Sequence, residues 1–177
     1  MKSPVRFIHV KALGFNSQVK VCTKGQWDEL LIALKTKDTH TLREWALNMA
    51  AGKLSEHAPA SVYTAFCEQY KAEVDDIKEH FSDYYGAPYT PYDPENAGGE
   101  GGNTENIELP ITTFAENLVY LYTGLNFLEI EGLNYFEYCM FLSDAMKMRI
   151  INNRGYEKGA EYLNECYRFA HKINSGF

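Results

Sequence analysis

The centre of the sequence contains one phrase twice: Gly-Leu-Asn-Phe-Leu-Glu-Ile at residues 124–130 and Gly-Leu-Asn-Tyr-Phe-Glu-Tyr at residues 132–138. In each copy an Asn stands three residues before a Glu, which is the spacing of a capping box. We therefore expect Asn126 and Asn134 each to cap a helix rather than to bind a ligand. The first copy predicts a short helix or turn, and the second predicts the long helix of a C-terminal helical half.

Upstream of this doublet, the sequence predicts a β-hairpin over residues 4–22 and then three helices. Polar and apolar residues alternate in the first strand, and residues 14–17 supply a turn before the return strand. A lone two-stranded ribbon is marginal in water, so we expect it to pack on helices or to pair with another chain. Apolar residues then recur at helical spacing, first at Trp27, Leu30, Leu31 and Leu34.

The hairpin and the doublet are separated by residues 86–110, where three prolines precede a Gly-rich acidic run. Such a composition excludes a regular element and predicts a long exposed loop, either functional or a plain tether. The chain thus divides into residues 1–85, residues 86–110 and a helical half at residues 111–177. The predicted fold class is mainly α, of the α+β type, with an N-terminal β-hairpin followed by six or seven helices packed around one core.

Composition is typical of one packed domain, since 45% of the 177 residues are hydrophobic and 14% are aromatic. No apolar run approaches the length of a membrane span, so we expect no membrane contact. The first ten residues lack the apolar run of a signal peptide. These features predict an intracellular, cytoplasmic protein.

Charge is distributed unevenly along the sequence. Net charge is −7, yet residues 79–146 hold twelve Asp and Glu residues and no Lys or Arg. An acidic middle repels phosphate backbones, which argues against nucleic acid as a partner. The acidic stretch either aids solubility or docks a basic protein partner.

Motifs for chemistry are missing. The four cysteines lie far apart and are expected to be buried free thiols, because a zinc site needs closely spaced ligand pairs. Asp76, Glu79, His80 and Asp83 share one face of the third predicted helix, which we interpret as a solvated face because no Glu-x-x-His motif is present. We predict no catalytic residue, no metal site and no cofactor. An enzyme would have to assemble its site from distant residues such as Asp76, His80 and Glu137.

The aromatic residues are numerous, with thirteen Tyr and ten Phe. Most lie on helical stripes and are expected in the core. Four tyrosines lie outside these stripes, at the end of the third helix and in the Pro-rich loop. Exposed tyrosines beside prolines suit protein contact. The candidate protein-binding residues are Tyr84, Tyr85, Tyr89 and Tyr92.

Residues 123–168 carry a resemblance to a known group of proteins. The Gly-Leu-Asn-aromatic helix entry, the run Glu137-Tyr138 with Leu142-x-Asp144-Ala145, and Gly159-x-Glu161-Tyr162-Leu163 resemble small bacteriophage morphogenesis proteins, especially tail-assembly-chaperone-like ones. The resemblance covers about a quarter of the chain and carries over no site residues. It implies a non-enzymatic protein that binds other virion or tail components during assembly, in the host cytoplasm or in the virion. The alternatives are a structural or adaptor subunit of a larger complex, whose hairpin pairs with a neighbour's edge strand, and an enzyme whose site the sequence does not reveal.

Overall fold

A β-hairpin begins the chain, and helices form the rest of the part that is described. The computed structural model describes residues 4–86 and 111–174, with residues 111–114 and 169–174 described by their backbone alone. Along these residues the elements are β1 (Phe7–Ala12), β2 (Phe15–Lys20), α1 (Lys24–Thr36), α2 (Thr39–Ala50), α3 (Ala60–His80), α4 (Ser82–Tyr85), α5 (Ile111–Thr123), α6 (Phe127–Gly132), α7 (Tyr135–Arg154) and α8 (Tyr156–Asn174). The predicted fold class, mainly helical with an N-terminal hairpin, is confirmed.

The hairpin packs on α3. Packing on helices was one of the two arrangements expected from the sequence. Strands β1 and β2 are antiparallel, with Val10 opposite Ser17, and the alternation puts Ile8 and Val10 in the core. On the helix side, the ring of Phe15 meets that of Phe66 edge to face at 4.9 Å. The buried Tyr70 hydroxyl accepts a hydrogen bond from the Cys22 backbone N–H at 2.7 Å and donates to the Lys20 carbonyl at 3.2 Å. Tyr70 of α3 therefore holds the end of β2 and the residues that directly follow it.

The sequence prediction of six or seven helices differs from the eight found in the described residues. The periodic pattern joined α3 to the turn that follows, up to about residue 85. In the structure α3 ends at His80, because Phe81 leaves helical geometry with φ −111° and ψ 42°, and the four-residue α4 begins afresh at Ser82. The predicted loop at residues 86–110 lies, apart from Gly86, outside the described residues.

Both copies of the doublet cap helices, but they do so differently. Asn126 and Glu129 form a complete capping box at the start of α6. Asn134 caps α7 by accepting hydrogen bonds from the N–H groups of Phe136 and Glu137, while its amide nitrogen donates to the Val5 carbonyl at 3.1 Å. The second Asn therefore both starts a helix and connects it to the N-terminal segment.

Backbone hydrogen bonds extend this connection between the two halves of the chain. Lys24 N–H donates to the Leu133 carbonyl at 2.9 Å, and Tyr135 N–H donates to the Cys22 carbonyl at 3.0 Å. Beneath them the rings of Trp27 and Tyr135 stack at 4.4 Å. One hydrophobic cluster accordingly contains residues from the hairpin, α1–α4 and α5–α7.

Candidate functional site: a contact surface on α5 and α6

A buried lysine at the start of α1 holds α5 and α6 in place. Lys24 is only 2% exposed, and its ammonium donates to the carboxylates of Asp28 on α1 and Glu116 on α5. Glu131 on α6 lies 3.7 Å from the same nitrogen, and the ring of Tyr138 lies 5.6 Å from it. Charges from three helices thus converge on one ammonium group.

The electrostatics of this cluster favour the charged form of Lys24. Burial by itself lowers the pKa of an ammonium, but hydrogen bonds and Coulombic attraction from Asp28 and Glu116 outweigh burial and raise the pKa of Lys24 above its usual value. The carboxylate oxygens of Asp28, Glu116 and Glu131 lie within 4.8 Å of one another, a spacing that could suit a cation. The Lys24 ammonium already supplies the positive charge there, so we assign the cluster a structural role.

A glycine next to Lys24 lies against the Glu131 side chain of α6. A Cβ atom at Gly25 would lie 2.6 Å from the Glu131 carboxylate oxygen and 3.5 Å from the Glu131 carbonyl. A larger residue would require the end of the flexible Glu131 side chain to shift, while the α6 backbone lies at ordinary van der Waals distance. The ion pairs of Lys24 therefore contribute most to where α6 and its outward face lie.

The outward side of α6 and more than one side of α5 present large apolar side chains to solvent. We call the five residues the apolar ridge; their exposed fractions are Tyr120 45%, Leu121 76%, Tyr122 46%, Phe127 50% and Leu128 85%. The rings of Tyr120 and Phe127 stack across the two helices at 6.0 Å and 18°. Exposed apolar residues that contact one another, as Tyr120 and Phe127 do, are typical of interaction sites, whereas single ones are ordinary.

Two concave regions flank the ridge. A groove of about 520 Å³ runs between α5 and α7. Its apolar lining residues include Leu118, Leu121, Ala145 and Met148, and Arg149 and asparagines of both helices line it as well. A second concavity of about 510 Å³, which we call the acidic hollow, lies between α1, the start of α2 and α6. Four carboxylate side chains line the hollow, those of Asp28, Glu29, Asp38 and Glu131.

The candidate binding tyrosines are placed differently from one another. Tyr84 is 42% exposed. Tyr85 is only 8% exposed, packs on Phe136 at 4.8 Å, and accepts a hydrogen bond from the Val5 N–H at 3.4 Å. The exposure predicted for Tyr85 is therefore wrong, because the short α4 turns its ring into the core. Tyr89 and Tyr92 lie outside the described residues.

The polar residues considered for catalysis do not form a compact site. Asp76, Glu79, His80 and Asp83 are all exposed on α3 and α4. In the part of the chain that the structure describes, none of them belongs to a cluster with metal-ligand spacing. Glu137 is half-buried in the first turn of α7, where its N–H donates to the Asn134 cap.

The four cysteines are buried free thiols, as predicted from their spacing. Burial raises the pKa of Cys22 and of Cys67 to about 12, and it also raises the pKa of Cys139 and Cys166. The thiolate is the reactive form of cysteine, so these side chains stay unreactive at neutral pH.

Sequence reasoning missed both the Lys24 cluster and the apolar ridge. A lysine at the start of a helix looks like a surface residue, and two of its three partners, Glu116 and Glu131, lie about a hundred positions away in the sequence. The ridge did leave a signal, since residues 118–122 are all apolar or aromatic and a helix with apolar residues on every side cannot bury them all in a small domain. Most aromatic residues were expected in the core, whereas Tyr120, Tyr122 and Phe127 are half exposed.

No family model, no curated protein and no solved structure matches the chain. Within residues 4–86 and 111–174, none of the helices has the length and hydropathy needed to cross a bilayer.

Proposed function

We propose that this chain is a non-enzymatic protein-binding or assembly protein that contacts its partner through the apolar ridge of α5 and α6. The observation that carries the proposal is the exposure of five large apolar side chains on two adjacent short helices. Leu128, at 85% exposure, is more exposed than any other large apolar residue in the described part of the chain. Apolar area of this kind is stabilised when a partner removes it from water.

The residue types of the ridge also suit protein contact. Tyrosine and phenylalanine are enriched in the cores of interfaces, since they offer large area with few rotatable bonds. The Lys24 cluster and the capping box hold the ridge in a fixed conformation before binding, which lowers the entropy cost of association. The resemblance of residues 123–168 to phage tail-assembly-chaperone-like proteins suggests virion morphogenesis as the setting.

Site-specific photocrosslinking in the cells that produce the protein tests the proposal. A benzoyl-phenylalanine in place of Leu128 is expected to give a discrete covalent adduct with one partner, identified by mass spectrometry. The same probe in place of Tyr156, an apolar residue that is 77% exposed on α8, serves as the matched control. Adducts at Tyr156 equal to those at Leu128, or none at Leu128, would overturn the proposal.

The alternative, an adaptor subunit that binds through its hairpin, has an observation of its own. Phe7 and Leu13 at the hairpin are 56% and 66% exposed. A benzoyl-phenylalanine in place of Leu13 separates the two hypotheses, because an adaptor would form its adduct there and not at Leu128. Adducts at Leu13 alone would replace the ridge by the hairpin as the contact surface.

A further inference from the structure

We propose that the partner presents a basic and apolar segment, with a Lys or Arg side chain in the acidic hollow and an apolar side chain on Leu128 and Phe127. This inference rests on the proposed function and adds the chemistry of the partner. It is carried by the charge of the hollow and by its continuity with the apolar ridge.

The hollow is large enough for a long cationic side chain and is lined by charges of one sign. Its volume is about 510 Å³, and no Lys or Arg is among the residues that line it. The carboxylates of Asp28 and Glu131 already contact the Lys24 ammonium beneath them. Glu29 and Asp38 are exposed and make no ion pair with Lys24, so an excess of negative charge remains at the mouth.

Asp38 is a permanent part of this charge. The Thr41 hydroxyl donates to its carboxylate at 2.7 Å, and the N–H groups of His40 and Thr41 donate to it as well. These hydrogen bonds, with that from the Thr41 hydroxyl first, hold the pKa of Asp38 below its usual value. Its carboxylate therefore stays ionised throughout the physiological range.

The hollow and the ridge meet on α6. Glu131, which lines the hollow, lies three residues after Leu128 and therefore on the same face of the helix. Ile32 of α1 also lines the hollow and is 63% exposed. A partner segment can thus place a cation and an apolar side chain about one helical turn apart on this surface.

Charge complementarity selects a basic polypeptide over other occupants. Residues 111–146, which include all of α6, contain no Lys or Arg. Arg149 of α7 lies on the other side of the ridge, in the groove beside Leu121 and Tyr122. A second copy of this chain in a two-fold dimer would bring the same acidic surface against itself, which costs free energy. A nucleic acid would be repelled through its phosphates.

Fluorescence anisotropy with two designed peptides of about 15 residues, a length at which helices begin to be stable, tests the inference. Both carry Leu at positions i, i+3, i+4 and i+7; one has Lys at the remaining polar positions and the other has Glu. The Lys peptide is expected to bind the full chain and the Glu peptide is not. Binding should weaken as salt is raised from low to high concentration, because salt screens exposed charges.

Variants locate the binding site. The double substitution Glu29→Gln with Glu131→Gln should weaken binding of the Lys peptide by about five-fold or more, since each removes a charge from the hollow. The matched control, Glu68→Gln with Glu79→Gln, makes the same change of net charge at exposed positions of α3 and should leave affinity unchanged. Circular dichroism checks that both variants are folded.

The outcomes separate this inference from the proposed function. Equal binding of the two peptides, or equal loss in the hollow and α3 variants, overturns the basic-partner inference, while a specific adduct at Leu128 would keep the proposed function. Concentration-dependent self-association through Leu128, seen by sedimentation, would replace the basic partner by a second copy. Absence of a crosslinked adduct at Leu128 would overturn the proposed function itself.

Discussion

Lys24 carries a positive charge where water hardly reaches it. Removing an ammonium from water is costly, and the cost is offset only because Asp28, Glu116 and Glu131 surround the group. Two of these carboxylates come from α5 and α6, the helices that carry the apolar ridge. One side chain therefore connects the stability of the fold to the position of the candidate contact surface.

Substitution Lys24→Met should lower the free energy of unfolding by about 2 kcal/mol. The methionine fills the space of the lysine stem, but Asp28 and Glu116 lose their ammonium and repel each other. The measurement is urea denaturation followed by circular dichroism at neutral pH.

The matched control for this prediction is Lys71→Met. Lys71 forms an ion pair with Asp75 at the same i,i+4 spacing and 2.5 Å, but both side chains are more than 40% exposed. We expect its loss to cost about 0.5 kcal/mol or less. Equal costs for the two variants would contradict the structural role of Lys24.

At the scale of elements, the packing of α8 on α7 depends on one glycine. A Cβ atom at Gly159 would lie 2.7 Å from the Ile151 Cα and 3.4 Å from the Ile150 carbonyl. Those atoms are backbone and cannot rotate away as a side chain could. The two helices must therefore separate to accept any larger residue. Such a separation would disturb the packing of Leu163 and Cys166 of α8, which are buried.

Substitution Gly159→Ala should destabilise the protein by about 2 kcal/mol, which is typical of overpacking a tight contact. The control is Gly132→Ala, because Gly132 also lies in a helix but a Cβ atom there would meet nothing within 4 Å. That substitution should be neutral or slightly stabilising, since Ala favours helix more than Gly does. The measurement is the midpoint of thermal unfolding of both variants. An unchanged midpoint for Gly159→Ala would contradict the close contact between α7 and α8.

At the scale of the whole molecule, the buried ionisable groups predict sensitivity to alkali. Burial raises the pKa of the four thiols and of three tyrosines; Cys22, Cys67 and Tyr138 each reach about 12. The pKa of Lys24 is also raised. A group with a raised pKa in the folded state stabilises the fold fully below its unfolded pKa and loses that contribution as pH rises through the folded pKa.

We therefore expect the free energy of unfolding to fall steeply as pH rises from about 9 to about 11, since unfolded cysteines ionise from about 8.5. Each fully buried thiol contributes about 1.4 kcal/mol per pH unit to this slope. Urea denaturation at several pH values, in the presence of a reductant, gives the measurement.

A cysteine variant tests the assignment of this slope. Cys67→Ala should be less stable than the parent at pH 7, because it leaves a small cavity in the core. Its decline above pH 9 should nevertheless be shallower, by about 1.4 kcal/mol per pH unit. Parallel curves for the variant and the parent would show that Cys67 ionises normally in the folded state.

Much of the secondary structure was predictable, because local rules decide it. Alternation in the hairpin and the Asn caps of the doublet are set by residues within a few positions of one another. The end of α3 was not predictable, since apolar periodicity continues through Phe81 to Tyr85 while the backbone turns. The turn brings Tyr85 into the core against Phe136, a contact between distant parts of the sequence.

The candidate site was predictable only in part. The acidic residues of the stretch 79–146, which has no Lys or Arg, left two roles open, solubility and docking of a basic partner, and the basic partner stays a prediction. The sequence pointed to tyrosines near the Pro-rich loop as the contact residues, whereas the structure exposes a cluster on α5 and α6. Which face of an apolar helix remains exposed depends on its neighbours, and within the described residues the neighbours of α5 leave Tyr120, Leu121 and Tyr122 exposed.

By itself the sequence determined most of the helices, the Asn caps of α6 and α7, the hairpin, the buried thiols and the acidic character of the middle of the chain, because propensity, capping and charge act locally or by composition. Only the tertiary structure decided that Lys24 joins α1 to α5 and α6, that Asn134 connects α7 to the N-terminal segment, and that an apolar ridge stands beside an acidic hollow. These features depend on contacts between residues about a hundred positions apart. Such contacts arise from packing the whole core, and no local pattern in the sequence encodes them.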